Sequence, residues 1–76
     1  MIKNPSTFNE IENPMLRHYN RAQMALNVAS ENGLDDLRVY FNQFDDVERA
    51  GIFTMLLAIK TSPDDTRRQV YENAAI

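Results

Sequence analysis

The sequence predicts an all-α protein, a compact bundle of three to four short helices with a short N-terminal arm or helical turn. Helix start and stop signals punctuate the chain, and apolar residues recur at helical spacing. No segment alternates as a half-buried strand would. The predicted helices span about 14–31, 35–43, 46–60 and 63–74. A length of 76 residues leaves room for a single domain, residues 1–76.

The first helix has clear signals at both ends. Asn13 is placed to cap it, and Pro14 stands at the first helical position, where a missing N–H costs nothing. Gly33 ends it, because glycine readily adopts the left-handed conformation. Apolar residues separated by steps of four and three predict one continuous buried stripe: Met15, Tyr19, Ala22, Leu26 and Ala29.

The other elements are predicted in the same way. The second helix carries an apolar side made of Leu34, Leu37, Tyr40, Phe41 and Phe44. Asp45 is the expected cap of the third helix, and Ser62 followed by Pro63 is the strongest start signal in the chain. The fourth helix is expected to bury Val70, Tyr71 and Ala74. Before all of these, Thr7 and Glu10 are spaced as a capping box for one short turn, or belong to an arm.

The third helix is the most informative segment because residues 50–59 carry no charge. A helix that is apolar on every side must be enclosed, either by its own chain or by a second copy. Gly51 within it suggests a close backbone approach, since glycine is unfavourable inside a helix. That approach is expected either from another helix of the same chain or from a partner. We predict a homo-oligomer, a dimer being favoured, with Gly51, Phe53 and Leu56 at its interface.

Composition excludes several classes of function. The chain has no Cys, one His and a net charge of −3, so disulfides and thiolate metal sites are absent and no basic stripe favours nucleic acid. We expect no metal and no cofactor. Three Asp-Asp pairs (35–36, 45–46, 64–65) fall at predicted helix starts, where carboxylates complement the helix dipole; metal ligation is the alternative. No run is long enough to cross a membrane, and a cytoplasmic protein is expected.

One local pattern resembles a known motif. Val28-Ala29-Ser30-Glu31-Asn32-Gly33-Leu34, with Val39, is similar to the core of a helix-turn-helix. That resemblance, over about residues 23–42, implies a second helix entering the DNA major groove. Arg38, Asn42 and Gln43 would then read bases, whereas Asp35 and Asp36 would face phosphates. A tight helical hairpin accounts for the same spacing without DNA.

Arg17, His18 and Arg21 form a basic cluster in the first helix. Arg17 and Arg21 lie four residues apart and project side by side, either to grip a phosphate or carboxylate or as a solvated face paired with Glu10 or Glu12. His18 has the ordinary pKa of a general base, yet no nucleophile or orienting carboxylate is placed beside it. No phosphate loop or nucleophile motif occurs, so no enzymatic activity is expected.

The sequence therefore predicts a small, non-enzymatic protein-binding module that regulates or inhibits a partner protein. The expected contacts are Arg17, Arg21, Arg38, Tyr40 and Phe41. The chain is expected to be a complete small gene product of the kind that bacteriophages use against host proteins, acting then in the host cytoplasm. The alternatives are a small dimeric helix-turn-helix regulator that binds DNA and a structural assembly subunit. We do not expect nucleic acid as the partner.

Overall fold

The computed structural model describes residues 13–75, which form four helices. These are α1 (Pro14–Asn32), α2 (Leu34–Asn42), α3 (Asp46–Thr61) and α4 (Pro63–Ala74). The predicted all-α bundle is confirmed, and every predicted boundary lies within one residue of the observed one. The expected turn at Thr7 and Glu10 lies outside the described residues.

Two of the predicted caps close their helices. The Asn13 side-chain oxygen accepts from the Leu16 N–H at 3.0 Å, and Asp45 accepts from the Glu48 N–H at 2.9 Å. Each bond satisfies an N–H that has no partner within its helix. All three Asp-Asp pairs stand at helix starts, as the dipole argument predicted.

Ser62 stands at the N-cap position of α4, as predicted, but its side chain forms no capping hydrogen bond. Ser62 is the single residue between α3 and α4, and its own N–H ends α3 by donating to the Ala58 carbonyl at 2.8 Å. The Thr66 hydroxyl donates to that carbonyl as well, at 3.0 Å. These two hydrogen bonds of the tight turn therefore satisfy a carbonyl at the end of α3 rather than an N–H at the start of α4.

Gly33 plays the same linking role between α1 and α2. Its φ of 93° and ψ of −177° lie where a residue with a Cβ is rarely found. The chain reverses in one residue, which fixes α2 against α1. This arrangement agrees with the helical hairpin expected from the Ala29–Gly33 spacing.

Helix α1 is the centre of the bundle and packs against α2, α3 and α4, while α3 also packs against α4. The core is small, and its buried members are few: Tyr19, Ala22, Ala25, Tyr40, Phe44, Ile52 and Val70. Helix α2 rests chiefly on α1 rather than on α3. A gap between α2 and α3 follows from this arrangement.

Several predicted core residues lie at the surface instead. Leu34 is the first residue of α2 and is 74 % exposed. Tyr71 is half exposed and meets the Tyr19 ring edge to face, with centroids 6.1 Å apart. Met15 and Leu26 are also exposed, so the buried stripe of α1 is narrower than the sequence predicted.

The third helix is not enclosed on every side. Ile52 is fully buried, but Phe53 is 57 % and Leu57 is 66 % exposed. Only α1 and α4 pack extensively against α3, so its remaining face lies open to solvent. Residues 13–75 do not supply enough neighbours to cover this helix.

Candidate functional site

Arg17, Arg21 and Glu48 form a polar cluster between α1 and α3, which we call the arginine–glutamate cluster. Arg17 donates from Nε to Glu48 Oε1 at 2.9 Å, and its Nη2 lies 3.4 Å from Glu48 Oε2. Arg21 Nη1 donates to the same Oε1 at 2.5 Å. The sequence left two interpretations of these arginines, contact with a partner or a solvated face paired with Glu10 or Glu12; in the structure they pair with Glu48 of α3.

Arg21 is integrated into the core rather than displayed on a polar face. It is only 4 % exposed, and its guanidinium lies over the Phe44 ring, 4.4 Å from the centroid. Tyr40 donates its hydroxyl to the Arg21 carbonyl at 3.4 Å, and burial raises the pKa of Tyr40 to about 12. Charge, cation–π contact and hydrogen bond together tie α1 to α2 and α3.

The charge state of Glu48 depends on this pairing. Burial acts to raise the pKa of the Glu48 carboxyl, but the hydrogen bonds and positive charges of Arg17 and Arg21 outweigh it and hold the pKa below the usual value. The carboxylate is therefore ionised at neutral pH, as a buried arginine requires. The predicted pairing with Glu10 or Glu12 lies outside the described residues.

His18 occupies the space left by the missing side chain of Gly51. A Cβ added at Gly51 would fall inside van der Waals contact with the imidazole ring. The close approach predicted at Gly51 therefore comes from α1 of the same chain. His18 Nδ1 is buried without a hydrogen-bond partner among the described residues, and burial lowers the pKa of this histidine. The packing of the His18 ring accounts for the glycine at position 51.

The opposite side of α3 borders an open apolar groove of about 380 Å³, which we call the α2–α3 groove. Its lining is mostly apolar, with two arginines: Leu34, Leu37, Arg38, Phe41, Arg49, Phe53 and Leu56. Exposed apolar side chains that cluster in this way are typical of interaction surfaces rather than of the remaining surface of a monomer.

A pair of stacked rings forms the floor of the groove. Phe41 and Phe53 lie 5.1 Å apart between centroids, with an interplanar angle of 8°. Arg38 is exposed and belongs to none of the ion pairs found among residues 13–75. Arg49 is partly buried and pairs with Asp46. The groove thus combines flat aromatic surface with a free guanidinium at its edge, the combination that is enriched in binding hot spots.

The predicted partner contacts are divided between these two places. Arg17, Arg21 and Tyr40 belong to the interior, while Arg38 and Phe41 line the groove. Of the predicted oligomer contacts, Gly51 faces His18, Leu56 lines the groove, and Phe53 is exposed. Sequence reasoning missed Leu34 as a surface residue because it fits the apolar period of a buried face, and it missed that partly buried Leu37 also lines the groove.

The three residues predicted to read DNA bases differ in whether their side chains are available. Arg38 and Asn42 are exposed, whereas the Gln43 side-chain amide donates to the Tyr40 carbonyl at 3.0 Å. Asp35 and Asp36 are exposed in the first turn of α2, where a helix-turn-helix would meet phosphates. Two carboxylates there would repel the DNA backbone.

Residues 13–75 contain no group of three or more His, Asp or Glu side chains that could hold a metal ion. No helix in this part of the chain is long and apolar enough to cross a membrane. The chain matches no protein-family model, and neither the curated proteins nor the solved structures gave a significant match. Function must therefore be argued from the surface itself.

Proposed function

We propose that this protein is a non-enzymatic binding module that regulates or inhibits a partner protein through the α2–α3 groove. The single observation that carries the proposal is the groove itself, where stacked Phe41 and Phe53 lie open beside exposed Leu34. A chain with so small a core gains stability from each buried apolar group. The fold nevertheless leaves several apolar side chains exposed at one place, and such a cluster favours a binding role.

The chemistry of the groove indicates what it binds. Its floor accepts apolar or aromatic side chains, and Arg38 at its edge can form a charge-assisted hydrogen bond with a carboxylate. An apolar helix or strand segment with an Asp or Glu beside its anchor residue satisfies both requirements. The proposed site residues are Leu34, Leu37, Arg38, Phe41 and Phe53.

We also propose self-association, as the open face of α3 and the thin core both favour it. A cytoplasmic location, which the lack of Cys favours, and a bacteriophage origin, suggested by the small size of the chain, are expectations from the sequence. The arginine–glutamate cluster is proposed as structural, which leaves Arg38 as the arginine that contacts a partner.

The test is affinity capture from a cell lysate with the tagged full-length chain, comparing wild type with Leu34→Glu and Arg38→Glu. A partner that survives nuclease and is lost in both variants supports the proposal. Tyr71→Glu, a change at an exposed aromatic residue of α4, is the matched control and should keep the partner.

The same experiment decides the DNA-binding alternative. Capture of nucleic acid by wild type, with loss in Arg38→Glu and a steep decrease with added salt, would overturn the protein-binding proposal. So would a protein partner that both groove variants retain and Tyr71→Glu loses, because the binding surface would then be elsewhere.

A further inference from the structure

Helix α3 has a second exposed strip beside the groove, which we call the α3 outer face. It consists of five exposed residues: Val47, Ala50, Phe53, Thr54 and Leu57. Steps of three and four residues relate its members, so they follow one side of the helix. The strip carries no charge. Thr54 donates its hydroxyl to the Ala50 carbonyl at 2.9 Å, so this hydroxyl already has its partner within α3.

The charges at the two ends of this strip are arranged symmetrically. Exposed Asp46 lies seven residues before Phe53, and exposed Lys60 lies seven residues after it. Seven residues are close to two helical turns, or about 10 Å. Both charges therefore point to nearly the same side as Phe53, one beyond each end of the apolar strip.

The apolar strip with its two flanking charges is complementary to a second copy that runs in the opposite direction. In an antiparallel pair of α3 helices related by a two-fold axis at Phe53, Asp46 of each copy lies beside Lys60 of the other. A parallel pair would instead place Asp46 against Asp46 and Lys60 against Lys60. A two-fold interface brings one patch against itself, so a self-complementary strip is what it requires.

We propose that the α3 outer face binds the same face of a second copy in antiparallel orientation, with Phe53 at the two-fold axis. The inference rests on the self-association proposed above and specifies its surface and direction. Ala50 and Thr54 are small, which lets the two helices approach closely around the Phe53 rings. Leu57 then packs toward the Arg49 stem of the second copy.

The α2 side of the groove lies outside this interface. The two surfaces share Phe53, which lines the groove and lies at the proposed two-fold axis. Leu34 and Arg38 are on α2, and neither belongs to the α3 outer face. Leu57 belongs to that face and does not line the groove. Leu57 and Leu34 are both exposed leucines, so substituting glutamate at one or the other separates self-association from partner binding without disturbing the core.

Sedimentation equilibrium of the full chain across the micromolar range measures self-association. We expect a dimer for wild type and for Leu34→Glu. In Leu57→Glu, an apolar contact that occurs twice in the interface is lost, so the dissociation constant should rise roughly a hundredfold or more. Circular dichroism verifies that each variant keeps its helices.

Cross-linking tests the direction in chains that keep the apolar strip intact. The protein has no cysteine, so Asp46→Cys and Lys60→Cys each introduce a unique thiol. With a short bis-maleimide reagent, an antiparallel dimer gives cross-linked product when the two variants are mixed. Neither variant alone should give more than traces.

The possible results separate the two proposals. Wild type that stays monomeric overturns both self-association and the antiparallel interface. A dimer in which Asp46→Cys cross-links to itself, or which Leu34→Glu dissociates while Leu57→Glu does not, overturns the antiparallel interface and leaves self-association standing. Mixed cross-links together with loss of the dimer in Leu57→Glu support both.

Discussion

The two sides of α3 differ in how completely neighbouring residues cover their side chains. On the α1 side, Glu48 receives hydrogen bonds from Arg17 and Arg21, and His18 fills the space over Gly51. On the α2 side, Phe41 and Phe53 stack on each other beside the open groove, Phe41 being partly buried and Phe53 exposed. The charged side is closed and the apolar side is open, the reverse of the usual arrangement.

This difference shows that residue type alone does not identify the working surface. Charged residues in a cluster suggest a binding site, yet here their partner lies within the chain. Aromatic and aliphatic residues at helical spacing suggest a core, yet here a part of them faces solvent. In this protein the candidate surface is recognised by the apolar side chains that the fold leaves exposed.

The largest effect is expected from Glu48→Gln, which removes the negative charge opposite a buried arginine. Uncompensated buried charge is costly, and we expect the free energy of unfolding to fall by about 3 kcal/mol. Urea denaturation monitored by circular dichroism measures it. Asp65→Asn, which breaks the exposed pair with Arg68, is the control and should change stability by about 0.5 kcal/mol or less. Equal effects of the two changes would show that the cluster is not a structural element.

Gly51→Ala is expected to have the next largest effect. Alanine is the better helix former by about 1 kcal/mol, but its Cβ would overlap the His18 ring. Overpacking typically costs about 1–3 kcal/mol, so we expect a net loss near 1 kcal/mol in thermal or urea denaturation.

The double variant His18→Ala/Gly51→Ala separates overlap from other causes. It provides room for the added methyl group, so the Gly51→Ala change should become neutral or stabilising in that background. Additive losses would mean that His18 and Gly51 are not in contact.

Much of this fold could be predicted because its signals are local. Proline and caps fix where α1, α3 and α4 begin, and Gly33 fixes the turn to α2. Interactions between helices were not predictable in the same way. Nothing around Glu48 in sequence indicates that it faces Arg21, because the pairing depends on how α1 crosses α3. Likewise, the period that places Leu34 on the apolar side of α2 does not show that α1 ends before covering it.

A smaller effect is expected from pH, and it too belongs to the closed side. The lowered pKa of His18 means that the folded state favours the neutral imidazole. Stability should therefore be complete above the ordinary pKa of 6.5 and should fall as pH drops below it, because the unfolded chain then binds a proton more readily. Glu48, whose pKa is also lowered, should add a further loss below its ordinary pKa of 4.5.

Urea denaturation at a series of pH values measures this dependence, and His18→Gln is the informative variant. It should flatten the decline between neutral pH and pH 5 while leaving the more acidic loss attributed to Glu48. An unchanged decline in that interval would assign it to another group and would contradict the buried, neutral histidine.

The smallest effect on folding is expected on the open side, where Leu34→Glu should change the free energy of unfolding by about 0.5 kcal/mol or less. Leu34 already faces water in the folded chain, so a polar replacement loses little burial, and a carboxylate in the first turn of α2 meets a favourable helix dipole. Denaturation of Leu34→Glu beside Leu37→Glu makes the comparison, since Leu37 lines the same groove but packs partly against the core. If Leu34→Glu proved as destabilising as Leu37→Glu, the groove would be a part of the core that the chain closes in solution. If Leu34→Glu leaves the free energy of unfolding unchanged but abolishes binding of the partner protein, the exposed leucine contributes to binding and not to folding.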